Sequence, residues 1–125
     1  MKSYNSAGRY TSAVKMTSTV TANMNVCAKK TKVIASLNDA GEIELSFETD
    51  CVNVKKYIDG FDKISVDDVT TLTNSAVMDP KRREHCSATC LVPSAIIHAA
   101  WLELGMLSKS RTQSVGSVNI TFEKD

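Results

Sequence analysis

The segment "TVTANMNVCAKKTKVIASLNDAGEIELSFET", residues 19–49, decides the fold of this chain. Apolar and polar residues alternate in three stretches of it, 19–26, 29–37 and 42–49. Alternation with a period of two is typical of strands that bury one face. The residues predicted to face the core are Val20, Ala22, Met24, Val26, Val33, Ala35, Leu37, Ile43, Leu45 and Phe47. Turn residues fill 38–41, so the segment is predicted to be an antiparallel meander.

Helical spacing replaces the alternation after Asp50. The apolar residues that then recur at i, i+3, i+4 and i+7 are Val54, Tyr57, Ile58 and Phe61. Asp50 is predicted to be the N-cap of this helix, and Gly60 its stop. A second short helix is predicted from Ser65 to Val77, with Asp68 in the capping-box position.

The main helix is predicted over 92–107, opened by Pro93, whose missing N–H suits a first turn. It is apolar on most sides and is expected to be the central packing helix. The alternating residues 118–122 predict a strand that returns to the sheet. The fold class is therefore α+β: a three-stranded antiparallel meander, about three helices and a returning strand. We expect one domain over 19–125, preceded by a mobile extension, 1–18.

Composition excludes several classes of protein. A chain of 125 residues with 42% hydrophobic residues is long enough to bury a core. Its net charge of +1 does not indicate a nucleic-acid partner. No apolar run approaches the roughly 20 residues of a membrane span, and the first residues lack the apolar core of a secretory signal. We expect a cytoplasmic protein, in which thiols normally stay reduced.

The strand pattern places the first cysteines close together. Cys27 follows the first strand and Cys51 follows the third. In an antiparallel meander the turn between the first two strands lies at the same end of the sheet as the end of the third. Cys27 and Cys51 are therefore predicted to share one end of the sheet.

The other cysteines lie in "EHCSATCLVPSAI", residues 84–96. Cys90 directly precedes the main helix, and a helix N-terminus stabilises a thiolate. We predict that Cys90 lies at the Cys27/Cys51 end, with these three sulfurs within about 7 Å, the reach of thiolates that share one cluster. Cys86 is a fourth candidate and His85 a substitute for it.

Three interpretations of these thiols stay open at this stage. Zinc sites usually show two close cysteine pairs, whereas only Cys86 and Cys90 are close here. Scattered ligands are more typical of iron–sulfur clusters or catalytic sites. Cysteine is also often buried without any function, and a regulated disulfide is the third alternative. His98 is interpreted as the partner of a backbone carbonyl, and the charged run 81–84 as a solvated face or loop.

Four stretches resemble a family of small uncharacterised proteins of methanogenic archaea and anaerobic bacteria such as clostridia. They are "NVCAKKTKVIAS", "ETDCVNVKKY", "CLVPSAIIHAAWLELG" and "VNITFEK". The resemblance implies motif positions at Cys27, Cys51 and Cys90, less securely at Cys86, and its anaerobic distribution favours an oxygen-sensitive cofactor over zinc. The family has Gly after Cys27 where this chain has Ala28, which leaves the turn there open.

The leading hypothesis is a small iron–sulfur protein with a 4Fe-4S cluster held by Cys27, Cys51 and Cys90. Cys86 would complete the shell, or the fourth iron would stay open. Such a protein would act in electron transfer or in cluster or sulfur handling, with a redox enzyme or complex as partner. The alternative is a structural or partner-binding subunit of an anaerobic enzyme complex, with structural zinc or no metal. Thiol catalysis by Cys51 or Cys90 ranks third, because only His85 is available as a base.

Overall fold

A computed structural model of the chain describes residues 16–124. A four-stranded antiparallel sheet has the order β1-β2-β3-β4, and the longest helix packs across β1 and β2. The strands are β1 (Ser18–Met24), β2 (Lys29–Leu37), β3 (Ile43–Thr49) and β4 (Lys63–Ile64). The helices are α1 (Val52–Tyr57), α2 (Asp67–Thr70), α3 (Pro80–Arg83), α4 (Val92–Glu103) and α5 (Lys109–Val115).

The predicted α+β meander is confirmed. The register pairs Val20 with Val33 and Val33 with Phe47, so the apolar residues at the centre of the strands form one continuous face. Val26 and Leu37, also predicted to face the core, are exposed instead, because Val26 lies in the β1–β2 turn and Leu37 is the last residue of β2. The opposite face is polar and carries a cross-strand ion pair between Lys32 and Glu48, with 3.8 Å between Nζ and Oε1. β1 begins at Ser18, and most of the predicted extension 1–18 lies outside the described residues.

Helix α4 covers β1 and β2 and forms the centre of the core, as predicted. Its carboxyl end is held to the sheet by Glu103, whose carboxylate accepts hydrogen bonds from Ser18 Oγ at 2.7 Å and Leu37 N at 3.3 Å. Trp101 Nε1 donates to Val69 O at 2.7 Å and ties α2 to α4. Gly105, at φ +74°, closes the helix. None of the helices within residues 16–124 is long and apolar enough to cross a membrane.

The predicted returning strand at 118–122 was wrong. Residues 116–124 form no strand, and Val118, Ile120 and Phe122 are 75%, 71% and 76% exposed. The fourth strand is instead β4, which pairs with β3. The physical reason is chain connectivity: β4 follows α1 and reaches the β3 edge by a short connection, so this segment, and not 118–122, supplies the fourth strand. The opposite edge, β1, has no strand neighbour among the described residues.

Three helix boundaries also differ from the predictions. The main helix, predicted over 92–107, ends at Glu103, because the chain leaves the helical conformation at Gly105. Asp50 is not the N-cap of α1; its Oδ1 accepts from Lys30 N at 3.2 Å, and Cys51 takes the N-cap position. The helix predicted from Ser65 to Val77 ends at Thr70. The capping-box bonds between Ser65 and Asp68 are present. The other carboxylate oxygen of Asp68 accepts from Ala76 N at 2.8 Å, which folds the chain back after one helical turn.

Ala28 is the one described non-glycine residue with a positive φ, +58°. This left-handed conformation costs a residue with a Cβ atom about 1 kcal/mol or more, and glycine avoids that cost. We therefore expect Ala28→Gly to raise the free energy of unfolding by about 1 kcal/mol, although glycine also gains entropy in the unfolded chain. Urea denaturation measures the change.

The matched control is Ala40→Gly, in the turn between β2 and β3. Ala40 is exposed, and its own φ is not positive. There we expect a loss of about 0.4–1 kcal/mol, because only the unfolded state gains freedom. Equal losses at both positions would contradict the strain at Ala28.

Candidate functional site

The β1–β2 turn, the start of α1 and the start of α4 meet at one end of the sheet. The hydrogen bond from Lys30 N to Asp50 Oδ1 joins the turn region to the end of β3. Leu91, the N-cap of α4, donates its N–H to Met24 Sδ at 3.2 Å and so joins α4 to the end of β1. The meander and these contacts bring the elements that carry Cys27, Cys51 and Cys90 to the same end of the sheet.

Three half-buried cysteines, Cys51, Cys86 and Cys90, pack against the hydrophobic core at this end. Burial raises the pKa of the Cys86 thiol to about 11, and the Cys90 thiol, hydrogen-bonded to it, adds to the rise. The nearby Cys51 thiol also raises the pKa of Cys86. Cys86 Sγ also faces Asn53 O at 3.9 Å, in the first turn of α1. The three thiols therefore form one group, which we call the thiol cluster.

Cys27 differs from the thiol cluster in its environment. Its side chain is exposed in the β1–β2 turn, and its thiol donates a long hydrogen bond, 3.7 Å, to Met24 O. Within residues 16–124, no three His, Cys, Asp or Glu side chains are arranged as a metal site. The assignment of Cys27, Cys51, Cys86 and Cys90 as metal ligands stays a prediction.

Arg83, on α3, places its guanidinium beside the thiol cluster. Its charge acts against the rise in the pKa of Cys86. Nη2 donates to Ala88 O at 3.3 Å, whereas Nη1 is buried and has no hydrogen-bond partner within the described part of the chain. A buried donor without a partner costs about 1–3 kcal/mol, more if it is charged. This end of the molecule therefore has a buried guanidinium N–H without a partner among residues 16–124, on an arginine close enough to lower the pKa of the Cys86 thiol.

Sequence reasoning missed the role of the basic run, which it interpreted as a solvated face or loop. Arg82 Nη1 donates to Tyr57 O at 2.7 Å and to Asp59 O at 3.0 Å. Its guanidinium carbon lies 4.3 Å from the centre of the Phe61 ring. Arg82 thus fixes α3 against the end of α1 and holds Arg83 in place. Residue type alone does not distinguish such arginines from exposed ones.

Tyr57 belongs to the hydrophobic core against which the thiol cluster packs. It is fully buried, and its hydroxyl donates to Val77 O at 2.8 Å. Burial is the main cause that raises the pKa of this phenol, and Cys86 and Cys90 contribute to the rise. A fixed phenol in its protonated form keeps water away from this side of the cluster.

Within residues 16–124, neither histidine forms a hydrogen bond with the thiol cluster. His98 Nδ1 contacts Ser94 O at 2.7 Å, which confirms its predicted pairing with a backbone carbonyl. His85 is exposed and lines an open depression with Val52, Lys55, Lys56 and Asp59.

Alkylation rates should reflect the protonation of Cys86. A thiol whose pKa is raised by about two units has about a hundredth of the usual thiolate near neutral pH, and its greater intrinsic nucleophilicity recovers only about tenfold of that loss. We expect iodoacetamide to modify Cys86 at least about ten times more slowly than a free thiol in a denatured control. Exposed Cys27 should be modified faster than Cys86. Peptide mass spectrometry follows each site, and equal rates at Cys27 and Cys86 would contradict the burial of Cys86.

Comparison with known proteins identifies the family of this chain. The sequence model of a family of unknown function (DUF6951) matches residues 18–115, and the chain belongs to that family. The matched range contains the four cysteines and ends before 118–122. No curated protein and no solved structure matches the chain.

Proposed function

We propose that this family member is a small iron–sulfur protein of anaerobic metabolism in the cytoplasm. Cys51, Cys86 and Cys90 would provide three ligands to a 4Fe-4S cluster, and Cys27 would provide the fourth from its turn. The cluster would serve in electron transfer to a redox enzyme, or in cluster or sulfur handling. The distribution of the family among methanogens and clostridia belongs to the same proposal.

The donor set supports this proposal. Thiolates are soft ligands that select iron–sulfur clusters, zinc and copper(I) over hard cations. The thiol cluster draws its sulfurs from the start of α1, from the loop after α3 and from the position that precedes the N-cap of α4. Iron–sulfur proteins commonly collect ligands that are separated in sequence in this way.

The buried Arg83 Nη1 is the observation that carries the proposal. Among the described residues, this guanidinium N–H has no hydrogen-bond partner. An all-thiolate cluster site is anionic, and it would give Arg83 an acceptor and a negative charge. Charge-assisted hydrogen bonds are about twice as strong as neutral ones, so the present arrangement fits an anionic occupant better than an empty thiol pocket.

The chain's own residues would tune such a site. The bound cluster would supply one-electron chemistry. Arg83 would offset its negative charge, and Tyr57 with the apolar core behind it would limit access of water on that side. Since the pKa of Cys86 is raised to about 11, this thiol must release its proton on metal binding, and apparent metal affinity should increase with pH.

Anaerobic reconstitution tests the proposal. The reduced protein is incubated with ferrous iron and sulfide, desalted, and assayed for iron, sulfide and visible absorbance. We expect about four iron and four sulfide per chain, with a charge-transfer band near 400 nm. A parallel incubation with zinc measures competition. A colourless protein without iron would overturn the proposal.

The second candidate is a structural or partner-binding subunit, favoured by the packing of Cys51, Cys86 and Cys90 against the core. In that case the thiols would be packing residues or would hold a structural zinc, and no sulfide would be retained after reconstitution. Thiol catalysis by Cys51 or Cys90 receives less support, because no histidine base is placed beside either thiol: His98 contacts Ser94 O, and His85 lines the depression formed with Lys55 and Asp59.

A further inference from the structure

The segment 117–124 has the alternating pattern of a strand but pairs with no strand in the described part of the chain. Its apolar residues Val118, Ile120 and Phe122 are 75%, 71% and 76% exposed, and they alternate with Asn119 and Thr121. Three alternating apolar side chains with this exposure are unusual on the surface of a single copy. Their alternation is typical of a strand that buries one face.

The free edge of β1 is the complement of this segment. β1 has seven residues, STVTANM, none of them charged. Exposed edge strands are normally protected by charges, proline or short length; the opposite edge, β4, has two residues and carries Lys63. On the inner face of β1, Val20 and Met24 are only half-buried. β1 is thus a long edge strand without the usual protection, and part of its apolar face remains exposed.

Helix α5 links the domain to this segment. None of its seven residues is buried, and Gly116, at φ +82°, ends it. Residues 117–124 then reach about 25 Å when extended, the length needed to lie along all of β1. We call α5 and 117–124 together the arm.

We propose that this arm binds a second copy of the chain: residues 117–124 of each copy add as a strand to the β1 edge of the other. Val118, Ile120 and Phe122 would then face the same side as Val20 and would cover the open margin of the core. A second copy is the favoured occupant because neither the arm nor the β1 edge has a strand partner among residues 16–124, and one two-fold axis satisfies both pairs at once. The cluster proposed above plays no part in this contact.

Sedimentation velocity of the full chain under reducing conditions, from micromolar to submillimolar concentration, provides the test. We expect a reversible monomer–dimer equilibrium, and Ile120→Asp should raise the dissociation constant at least tenfold. The matched control, Leu72→Asp, removes an equally large exposed side chain, 62% exposed, outside the arm and should leave the equilibrium unchanged.

Isotope-filtered NMR on a mixture of labelled and unlabelled chains identifies the contact. Intermolecular contacts between 117–124 and β1 support the proposal. A monomer at every concentration, a dimer that Ile120→Asp does not weaken, or contacts of 117–124 only with β1 of its own copy or with the 1–15 segment would overturn it.

Discussion

Replacing Cys86 and Cys90 together with serine is expected to abolish iron binding in anaerobically reconstituted protein, from about four iron atoms per chain to none. The two thiols are hydrogen-bonded neighbours in the thiol cluster, and they flank the loop that leads into α4. Serine keeps the shape of cysteine but replaces the soft sulfur with a hard hydroxyl, which binds iron poorly. Iron and sulfide assays with visible absorbance measure the loss.

Circular dichroism separates loss of ligands from loss of the fold. Both serines occupy half-buried positions, so we expect the double variant to remain folded with a loss of stability of about 1–2 kcal/mol. Cys27→Ser serves as the matched control, since this thiol is exposed. We expect it to retain a cluster that is more easily lost or exchanged. Full iron content in the Cys86/Cys90 double variant would exclude the proposed site.

Arg83→Met provides an independent check on the charge argument. Methionine keeps part of the side-chain volume and removes the unpaired donor. The apo protein should therefore lose little stability, whereas the reconstituted protein should hold its cluster less tightly because an anionic site loses its compensating charge. An unchanged rate of cluster loss to a chelator would contradict this role for Arg83.

Ile96→Ala should be the most destabilising single core substitution considered for this chain. Ile96 lies in the middle of α4 and is completely buried in the core that α4 forms with β1 and β2. Truncation leaves a cavity, and such changes cost about 2–5 kcal/mol. For a domain of this size we expect a fall in the melting temperature of roughly 10 °C or more. Thermal and urea denaturation measure both quantities.

Ile97→Ala is the matched control, because the neighbouring isoleucine is only half-buried. It removes the same atoms from the same helix, so helix propensity changes equally in both variants. We expect it to cost less than half as much as Ile96→Ala. Equal losses would mean that α4 is not oriented with Ile96 toward the sheet.

The local sequence pattern was sufficient to predict the sheet and to place Cys27 and Cys51 at one end of it. The bounds predicted for β2 and those observed, 29–37, are the same, because alternation and flanking turn residues agree there. Once 19–49 is a meander, antiparallel pairing alone requires the β1–β2 turn and the end of β3 to lie together. The approach of Cys27 and Cys51 to one end of the sheet is therefore a property of the sequence pattern.

Two local predictions failed for different reasons. The alternation at 118–122 indicates a strand, but a strand forms only with a neighbour, and this exposed segment pairs with no strand among residues 16–124, where β4 is the fourth strand of the sheet. The side chain of Asp68 both caps α2 and receives Ala76 N, which ends a helix that apolar spacing alone would continue. At Asp68 a longer-range contact thus overrides a local preference, whereas 118–122 lacks the partner that its pattern needs.

By itself, the sequence determined the fold class, the meander and the end of the sheet at which the cysteines gather. Only the tertiary structure decided that Cys86 joins Cys51 and Cys90, that Cys27 stays exposed, and that Arg83 places a buried, unpaired N–H beside the thiols. The physical reason is the distance along the sequence between the residues that determine each feature. Strand periodicity and antiparallel pairing are encoded by neighbours in sequence, whereas burial of a thiol and orientation of a guanidinium depend on how α3 packs against α1, held by Arg82.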